Sequence, residues 1–203
     1  MRRTILFLLL ILVPGIAYAS ESFQVETVRA FVSPDSSFSE LERLLGDAKT
    51  AIYVNSYTVT NPAVAALLEE ASLRGTQVIL MLESTPVGGV PGAEAMIVEQ
   101  LMEAGASVCF HSSNETRFNH AKYVIVDNSS SLIATENLGT SGFPKKRTYG
   151  GRGWGVVVLD KEMSESLAGI FFADLADCEP REVAKRVPKK TPADGAYEPT
   201  YSA

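Results

Sequence analysis

The stretch that decides the fold of this protein runs from His120 to Asn137 and reads HAKYVIVDNSSSLIATEN. Residues 123–126 are aromatic or β-branched, which predicts a short buried strand. Residues 128–130 predict a turn, and residues 132–135 predict a returning strand. The segment is therefore expected to form a β-hairpin whose first strand is preceded by a histidine and a lysine.

The alternation of side chains along a strand predicts which polar groups of this hairpin meet. His120 and Lys122 share one face at the head of the first strand. Thr135 and Asn137 share one face of the returning strand, and strand pairing is expected to bring them beside the histidine and the lysine. This set suits a phosphodiester, because an imidazole can attack phosphorus or donate a proton, while lysine and neutral donors bind the non-bridging oxygens.

Two acidic residues of the stretch have no predicted place in this group. Asp127 has the opposite parity and lies at the turn, where its simplest role is to bind turn amides. Glu136 points away from Thr135 by parity, so no catalytic role is assigned to it. The chain has only two histidines and no carboxylate-rich ligand set, so neither a metal nor another cofactor is expected.

Strands and helices alternate through the rest of the chain. Strands are predicted over residues 23–32, 51–57, 77–82, 107–110 and 153–159, and helices over residues 38–45, 62–74, 93–104 and 161–178. This order predicts an α/β fold with a mixed, largely parallel β-sheet sandwiched between helices, and the hairpin makes the sheet mixed.

The two ends of the chain differ from this pattern. Arg2 and Arg3 precede an apolar run, a Pro-Gly break and Ala17-Tyr18-Ala19, which predicts an export signal cleaved after Ala19. An uncleaved anchor is the alternative. Residues 1–19 are thus interpreted as a signal peptide, residues 20–179 as one domain, and residues 180–203 as a flexible tail rich in proline, lysine and alanine.

Charge and cysteine content narrow the function and the compartment. The formal net charge of the 203 residues is −6, which argues against a broad basic face for nucleic acid. A basic loop carrying Lys145, Lys146, Arg147 and Arg152 suits a small anionic group. The two cysteines, Cys109 and Cys178, allow a disulfide in an exported protein, and the sequence leaves open whether they pair or stay free.

Two further aromatic side chains have mainly structural interpretations. His111 lies in a predicted polar loop and is expected to be solvated, with a role at the rim of the pocket as the alternative. Trp154 is expected to lie in the core or in a pocket wall, with a lipid-facing role as the alternative.

The hairpin resembles the phospholipase D superfamily. HAKYVIVD fits the pattern H-x-K-x4-D, and ATEN follows where that family has G-[ST]-x-N. The resemblance extends over roughly residues 25–177 and implies a phospholipase D-like fold.

The resemblance also implies roles for the motif residues. His120 is the nucleophile that forms a phosphohistidine, and its twin is the general acid. Lys122 binds the phosphate, Thr135 and Asn137 assist it, and Asp127 completes the catalytic motif, mainly as a structural hydrogen-bond partner. Family sites use two such motifs and this chain has one, so the resemblance implies a homodimer with the active site at its interface.

The chain departs from the family pattern at two places. Ala134 replaces a glycine, and the segment from Gly151 to Gly155 lacks the acid that orients the histidine in many members. The sequence is therefore compatible with three functions. The first is an exported, metal-independent phosphodiesterase acting on phospholipid head groups, the second a secreted non-specific endonuclease, and the third an inactive phosphate-binding module.

Overall fold

The structure is a computed structural model and describes residues 21–112, 116–146, 149–176 and 178–180. The predicted signal peptide and nearly all of the predicted tail lie outside these residues. The strands are β1 Thr27–Ser33, β2 Ala51–Ser56, β3 Gln77–Glu83, β4 Ser107–His111, β5 Lys122–Val126, β6 Ser130–Ala134, β7 Gly153–Leu159 and β8 Cys178–Pro180. The helices are α1 Ser37–Gly46, α2 Pro62–Leu73, α3 Gly92–Glu103 and α4 Lys161–Leu175. No helix of these residues combines the length and the apolar content that crossing a membrane requires.

All eight strands form a single sheet in the order β1-β7-β6-β5-β2-β3-β4-β8. Only β2, β3 and β4 pair in parallel, and every other pair of neighbours is antiparallel. The predicted mixed sheet between helices is confirmed, but its parallel part is smaller than predicted. The reason is that parallel neighbours need a crossover segment, and here only α2 and α3 supply one.

Helices cover both faces of the sheet and create two apolar layers. The larger layer lies under α1, α2 and α3 and includes Ile52, Val54 and Val124. The smaller layer includes Tyr53, Ile125 and Phe171 of α4. Because β2 and β5 contribute alternate residues to both layers, they lie in the middle of the fold, and the hairpin that they support is well anchored.

Helix α2 begins and ends where its flanking residues predict. Asn61 caps the helix by accepting a hydrogen bond from the Ala63 N–H at 2.9 Å, and Pro62 occupies the first helical position. Gly75 follows the helix with φ of 92°, a conformation that favours glycine. The Asn61 Nδ2 also donates to the Phe143 carbonyl at 2.5 Å, which ties the loop before β7 to this helix.

The last predicted helix is too long, and its end forms part of the sheet instead. Helix α4 ends at Leu175, and Cys178 belongs to β8, which pairs with the edge strand β4. A disulfide joins Cys178 to Cys109, with 5.7 Å between their Cα atoms. The pairing that the sequence left open is therefore formed, and it fastens the end of the domain to β4.

The structure contradicts the solvated loop position predicted for His111 and the core position predicted for Trp154. His111 lies in β4 and is only 7% exposed, because the strand continues one residue further than its apolar pattern suggests. Trp154 lies in β7 but is 62% exposed. Helix α4 on this face packs mainly against β2, β4, β5 and β6.

Candidate active site

The residues predicted to carry chemistry lie at one edge of the sheet. Strands β2 and β3 end at this edge, β5 begins there, and β6 ends there. Lys122, the first residue of β5, is paired with Ser56, the last residue of β2. In α/β sheets, the carboxyl ends of parallel strands form the usual crevice for a ligand.

Lys122 lies just below the surface of this edge. It is 9% exposed, and its Nζ donates a hydrogen bond to the His120 carbonyl at 2.8 Å. The ammonium also lies 5.5 Å from the centre of the Tyr57 ring. Burial lowers the pKa of Lys122, and the nearby Glu136 carboxylate opposes this effect. Since an ammonium has three N–H donors, two remain to bind a phosphoryl oxygen or another acceptor.

His120 is exposed at the mouth of the site and packs between aromatic rings. Its ring centre lies 5.0 Å from that of Tyr57 and 5.7 Å from that of Phe118, both in edge-to-face geometry. The Val87 N–H donates to the Tyr57 Oη at 2.6 Å and so holds that ring in place. Partial burial, with a smaller contribution from Lys122, lowers the pKa of His120. The imidazole is therefore held more in its neutral, nucleophilic form.

A buried hydrogen-bond chain holds the segment that precedes His120. The Asn119 N–H donates to Glu83 Oε2 at 2.6 Å, and the Asn119 amide nitrogen donates to Asn55 Oδ1 at 2.6 Å. Asn55 in turn donates to the Tyr123 hydroxyl at 3.1 Å. Burial raises the pKa of Tyr123 to about 12, so this hydroxyl stays protonated. The position of the histidine is thus determined by three strands, β2, β3 and β5.

Thr135 follows the end of β6, and its hydroxyl binds the backbone of β7. Tyr123 is paired with Ile133, so Lys122 is beside Ala134, and the chain bends at Thr135. Its Oγ1 accepts from the Trp154 N–H at 3.0 Å and donates to the Trp154 carbonyl at 3.1 Å. The Thr135 hydroxyl thus connects the end of β6 to β7.

Asn137 follows a bend at the end of β6 and presents an amide with unused capacity. Its backbone carbonyl accepts from the Gly139 N–H at 2.7 Å. Its side-chain Oδ1 is buried and receives no hydrogen bond from the described residues. This oxygen only accepts hydrogen bonds and is buried, so a contact with a phosphoryl oxygen would have to come from the amide nitrogen.

Asp127 lies at the other end of β5, roughly 17 Å from Lys122 at the usual rise of a strand. Its carboxylate accepts hydrogen bonds from the backbone N–H groups of Lys49, Thr50 and Ala51 at 2.8–2.9 Å and from the Thr50 hydroxyl at 2.7 Å. Burial alone would raise the pKa of Asp127, but these hydrogen bonds outweigh it and lower the pKa. The structure separates this motif residue from the reacting group and gives it a structural position.

Several residues near the site were not found from the sequence. Tyr57 and Glu83 lie where β2 and β3 end, and that position at the carboxyl end of parallel strands was an available signal. Phe118 and Asn119 precede β5 in a segment with no regular pattern. Their roles depend on contacts with distant strands, which no local pattern reveals.

Comparisons with known proteins agree with this architecture. Residues 41–174 match a family model described as the phospholipase D-like domain of cardiolipin synthase. No curated protein matches the chain in sequence. Among solved structures, Nuc of Salmonella typhimurium, a phospholipase D family member, is similar at a TM-score of 0.68 and 20% identity, over 76% of this chain and 97% of that one.

Two other solved structures share the fold. NucT from Helicobacter pylori is similar at a TM-score of 0.67 and 13% identity, over 76% of this chain and 99% of that one. The phosphatidylserine synthase of Haemophilus influenzae Rd KW20 is similar at 0.56 and 12% identity, over 76% of this chain and 39% of that one.

Proposed function

Because the chain belongs to the phospholipase D-like family, we propose that it is a phosphodiesterase of the phospholipase D type that acts on phospholipid head groups. The observation that carries this proposal is the pairing of an exposed His120 with a buried Lys122 at the carboxyl edge of the parallel strands. His120 is accessible to a substrate, and the buried Lys122 supplies positive charge close to the histidine.

The proposed reaction has two steps. A nitrogen of neutral His120 attacks phosphorus, a nitrogen–phosphorus bond forms, and the bond from phosphorus to the leaving oxygen breaks while that oxygen receives a proton. Water then attacks the phosphohistidine, loses a proton, and releases the phosphate monoester and free imidazole. Lys122 and the Asn137 amide bind the non-bridging oxygens, whose charge rises in both transition states.

The general acid in this proposal is the His120 of a second copy. The chain has one motif, and an isologous dimer would place the same residue of both subunits at one site. Exposure of His120 supports this arrangement, because a second subunit can approach it. The twin imidazole would protonate the leaving oxygen and then accept the proton of the attacking water.

Exposed apolar side chains near the site support a lipid substrate. Val87 is 89% exposed, and its N–H binds the tyrosine that packs on His120. Phe118 is 43% exposed and contacts His120 directly. An amphiphilic substrate could cover this apolar rim while its phosphate reaches the histidine. The Cys109–Cys178 disulfide supports the proposed export, because disulfides persist in oxidising compartments.

A secreted endonuclease is the second candidate, and basic side chains favour it. Arg117 lies 5.9 Å from the ring centre of Phe118, next to the histidine. Lys145 and Lys146 are exposed in the loop before β7. Such a combination of cations and an aromatic ring also suits a nucleic-acid strand.

One assay separates these functions. The mature protein is incubated in EDTA with phosphatidylcholine vesicles and, separately, with plasmid DNA, beside His120→Asn and the matched control His111→Asn. We expect release of choline, loss of that activity in His120→Asn, and its retention in His111→Asn. DNA cleavage without lipid turnover would identify the nuclease, and binding without turnover of either substrate would identify the inactive module. Activity that requires a metal would contradict the mechanism.

A further inference from the structure

The side chain of Glu136 lies in a space bounded by three glycines. A Cβ added to Gly153 would lie 2.5 Å from Glu136 Cγ and Oε1, and one added to Gly151 would lie 2.8 Å from Oε2. A Cβ added to Gly142 would lie 2.6 Å from the Glu136 Cβ. Real Cβ atoms essentially never show contacts under 3.0 Å. The glycines therefore make room for this glutamate along its whole length, from Cβ to both carboxylate oxygens.

The same side chain lies on the lysine side of the sheet. Tyr123 is paired with Ile133, which brings Lys122 beside Ala134, and Ala134 packs against the larger apolar layer, as Val124 does. Glu136 follows Ala134 by two positions and so has the parity of that face. The chain bends after Ala134, but the carboxylate stays on this face. A Cβ added to Gly155 would meet Phe31 of the larger layer, and Gly153, whose added Cβ would meet Glu136, has the same parity.

The position of the Glu136 carboxylate matters because Lys122 is buried and its positive charge is destabilised there. Lys122 is 9% exposed, and burial disfavours its ammonium form. A neutral amine would lose both its attraction for a phosphate and one of its N–H donors. Among the strands beside the site, β7 begins with Gly153, Trp154 and Gly155, which carry no acid. Two carboxylates lie at this edge. Glu83 accepts hydrogen bonds from the Thr85 and Asn119 N–H groups, whereas Glu136 projects into the space that the glycines leave.

We propose that Glu136 is a positioning residue of the active site, whose carboxylate lies on the same face as the buried Lys122 and keeps that lysine in its charged form. This inference rests on the proposed function, because it assigns Glu136 a part in the same reaction. It also explains the glycines at 142, 151 and 153 as the space that the carboxylate needs. Glu136 does not touch the reacting atoms and acts through Lys122.

The first test removes the charge while keeping the shape. Glu136→Gln is compared with the wild type and with Glu103→Gln, an exposed glutamate at the end of α3. Lys122 is titrated by NMR of its side chain, and kcat/KM is measured against pH. We expect the lysine to lose its proton at a lower pH in Glu136→Gln, and kcat/KM to fall about tenfold at alkaline pH and much less near pH 6.5. Glu136→Asp should restore part of the loss.

The second test displaces the carboxylate without removing it. Gly151→Ala places a methyl group against the carboxylate, since the three nearest atoms that it would meet all belong to Glu136, whereas Gly169→Ala in α4 meets no atom within 4 Å and is its control. Gly151→Ala should reproduce the alkaline defect, and Gly169→Ala should not. Circular dichroism checks that each variant is folded.

The outcomes distinguish this inference from the function on which it rests. If the wild type is inactive on every phosphodiester tested, the function fails, but the lysine titration still reports on Glu136. If Lys122 titrates identically in the wild type and in Glu136→Gln, the inference is overturned whatever the activity. The same holds if Glu136→Gln lowers thermal stability and leaves the pH profile unchanged.

Discussion

At the residue scale, the reactivity of His120 depends on its immediate neighbours. Its ring packs on Tyr57 and Phe118, and partial burial there lowers its pKa more than the charge of Lys122 does. Both effects favour the neutral imidazole, which is the form that can attack phosphorus. The twin histidine needs the protonated form to act as an acid. The two rings of a shared site would then titrate as a coupled pair, with a bell-shaped pH profile.

The first prediction follows from the charge of Lys122. Lys122→Met removes a positive neighbour and keeps a side chain of similar size, so the pKa of His120 should rise. The rise should stop short of a fully exposed histidine, because burial remains. NMR titration of the imidazole measures this directly, and Lys161→Met on the exposed start of α4 is the control. A pKa that stays the same or falls in Lys122→Met would contradict the account.

At the element scale, Asp127 holds the hairpin to the rest of the sheet. Asp127 and Asn128 both have positive φ, at 53° and 50°, which Asp and Asn tolerate better than other non-glycine residues. The carboxylate accepts hydrogen bonds from the backbone of residues 49–51, where α1 gives way to β2. These hydrogen bonds fix the position of the C-terminal end of β5, and Lys122 lies at the N-terminal end of the same strand.

The second prediction concerns this carboxylate. Asp127→Ala should reduce the free energy of unfolding by about 2 kcal/mol, because it leaves backbone donors unpaired. For a domain of this size, Tm should fall by about 4–8 °C. Asp47→Ala, an exposed acid beside the same loop, should change Tm little.

The effect of Asp127 should also depend on pH in a defined direction. The folded-state pKa of Asp127 is below the ordinary value of 3.8. Its stabilisation is therefore complete above the unfolded pKa and disappears as the pH falls through the folded pKa. Melting curves of both proteins between pH 6 and pH 2 should converge at the acid end, and a constant difference in Tm would refute the charge-based explanation.

At the scale of the whole molecule, the disulfide closes the domain. It joins β4 to β8 across 69 residues, a span that includes the hairpin, the loop before β7 and all of α4. A crosslink over so long a loop restricts the unfolded chain strongly. It also adds a covalent bond to the three-residue pairing of β8 with β4.

The third prediction is a loss of stability without the disulfide. Replacing Cys109 and Cys178 together by serine should lower the free energy of unfolding by about 3 kcal/mol and Tm by about 6–12 °C. Dithiothreitol should have the same effect on the wild type and none on the double variant. If dithiothreitol leaves the wild-type Tm unchanged, the crosslink does not stabilise the domain.

The fourth prediction tests the proposed shared site. Wild-type chains are co-expressed with an equal amount of His120→Asn, and the purified mixture is assayed. If each site needs the histidines of both subunits, about one quarter of the dimers are active, whereas independent monomers retain about one half of the activity. Light scattering on the wild type provides the oligomeric state, and an active monomer would refute the shared site.

The sequence by itself determined the order of the elements, the hairpin at residues 123–135, the caps of α2 and the family motif. These signals are local, since strand alternation, an Asn-Pro cap and a spaced motif depend on neighbouring residues only. It also predicted that His120 and Lys122 lie together, because two residues of equal parity share a face. It overestimated the parallel part of the sheet, because pairing between distant strands leaves no local trace.

Only the tertiary structure decided the register, the pairing of the cysteines and the surroundings of the histidine. The register of β5 with β6 places Lys122 beside Ala134, since a shift of one residue would exchange the two faces, and the side chain of Glu136 lies in the space left by Gly151 and Gly153. Tyr57, Phe118 and Glu83 reach the site from separate segments. A site assembled from residues far apart in the chain depends on packing, and packing is a property of the whole fold.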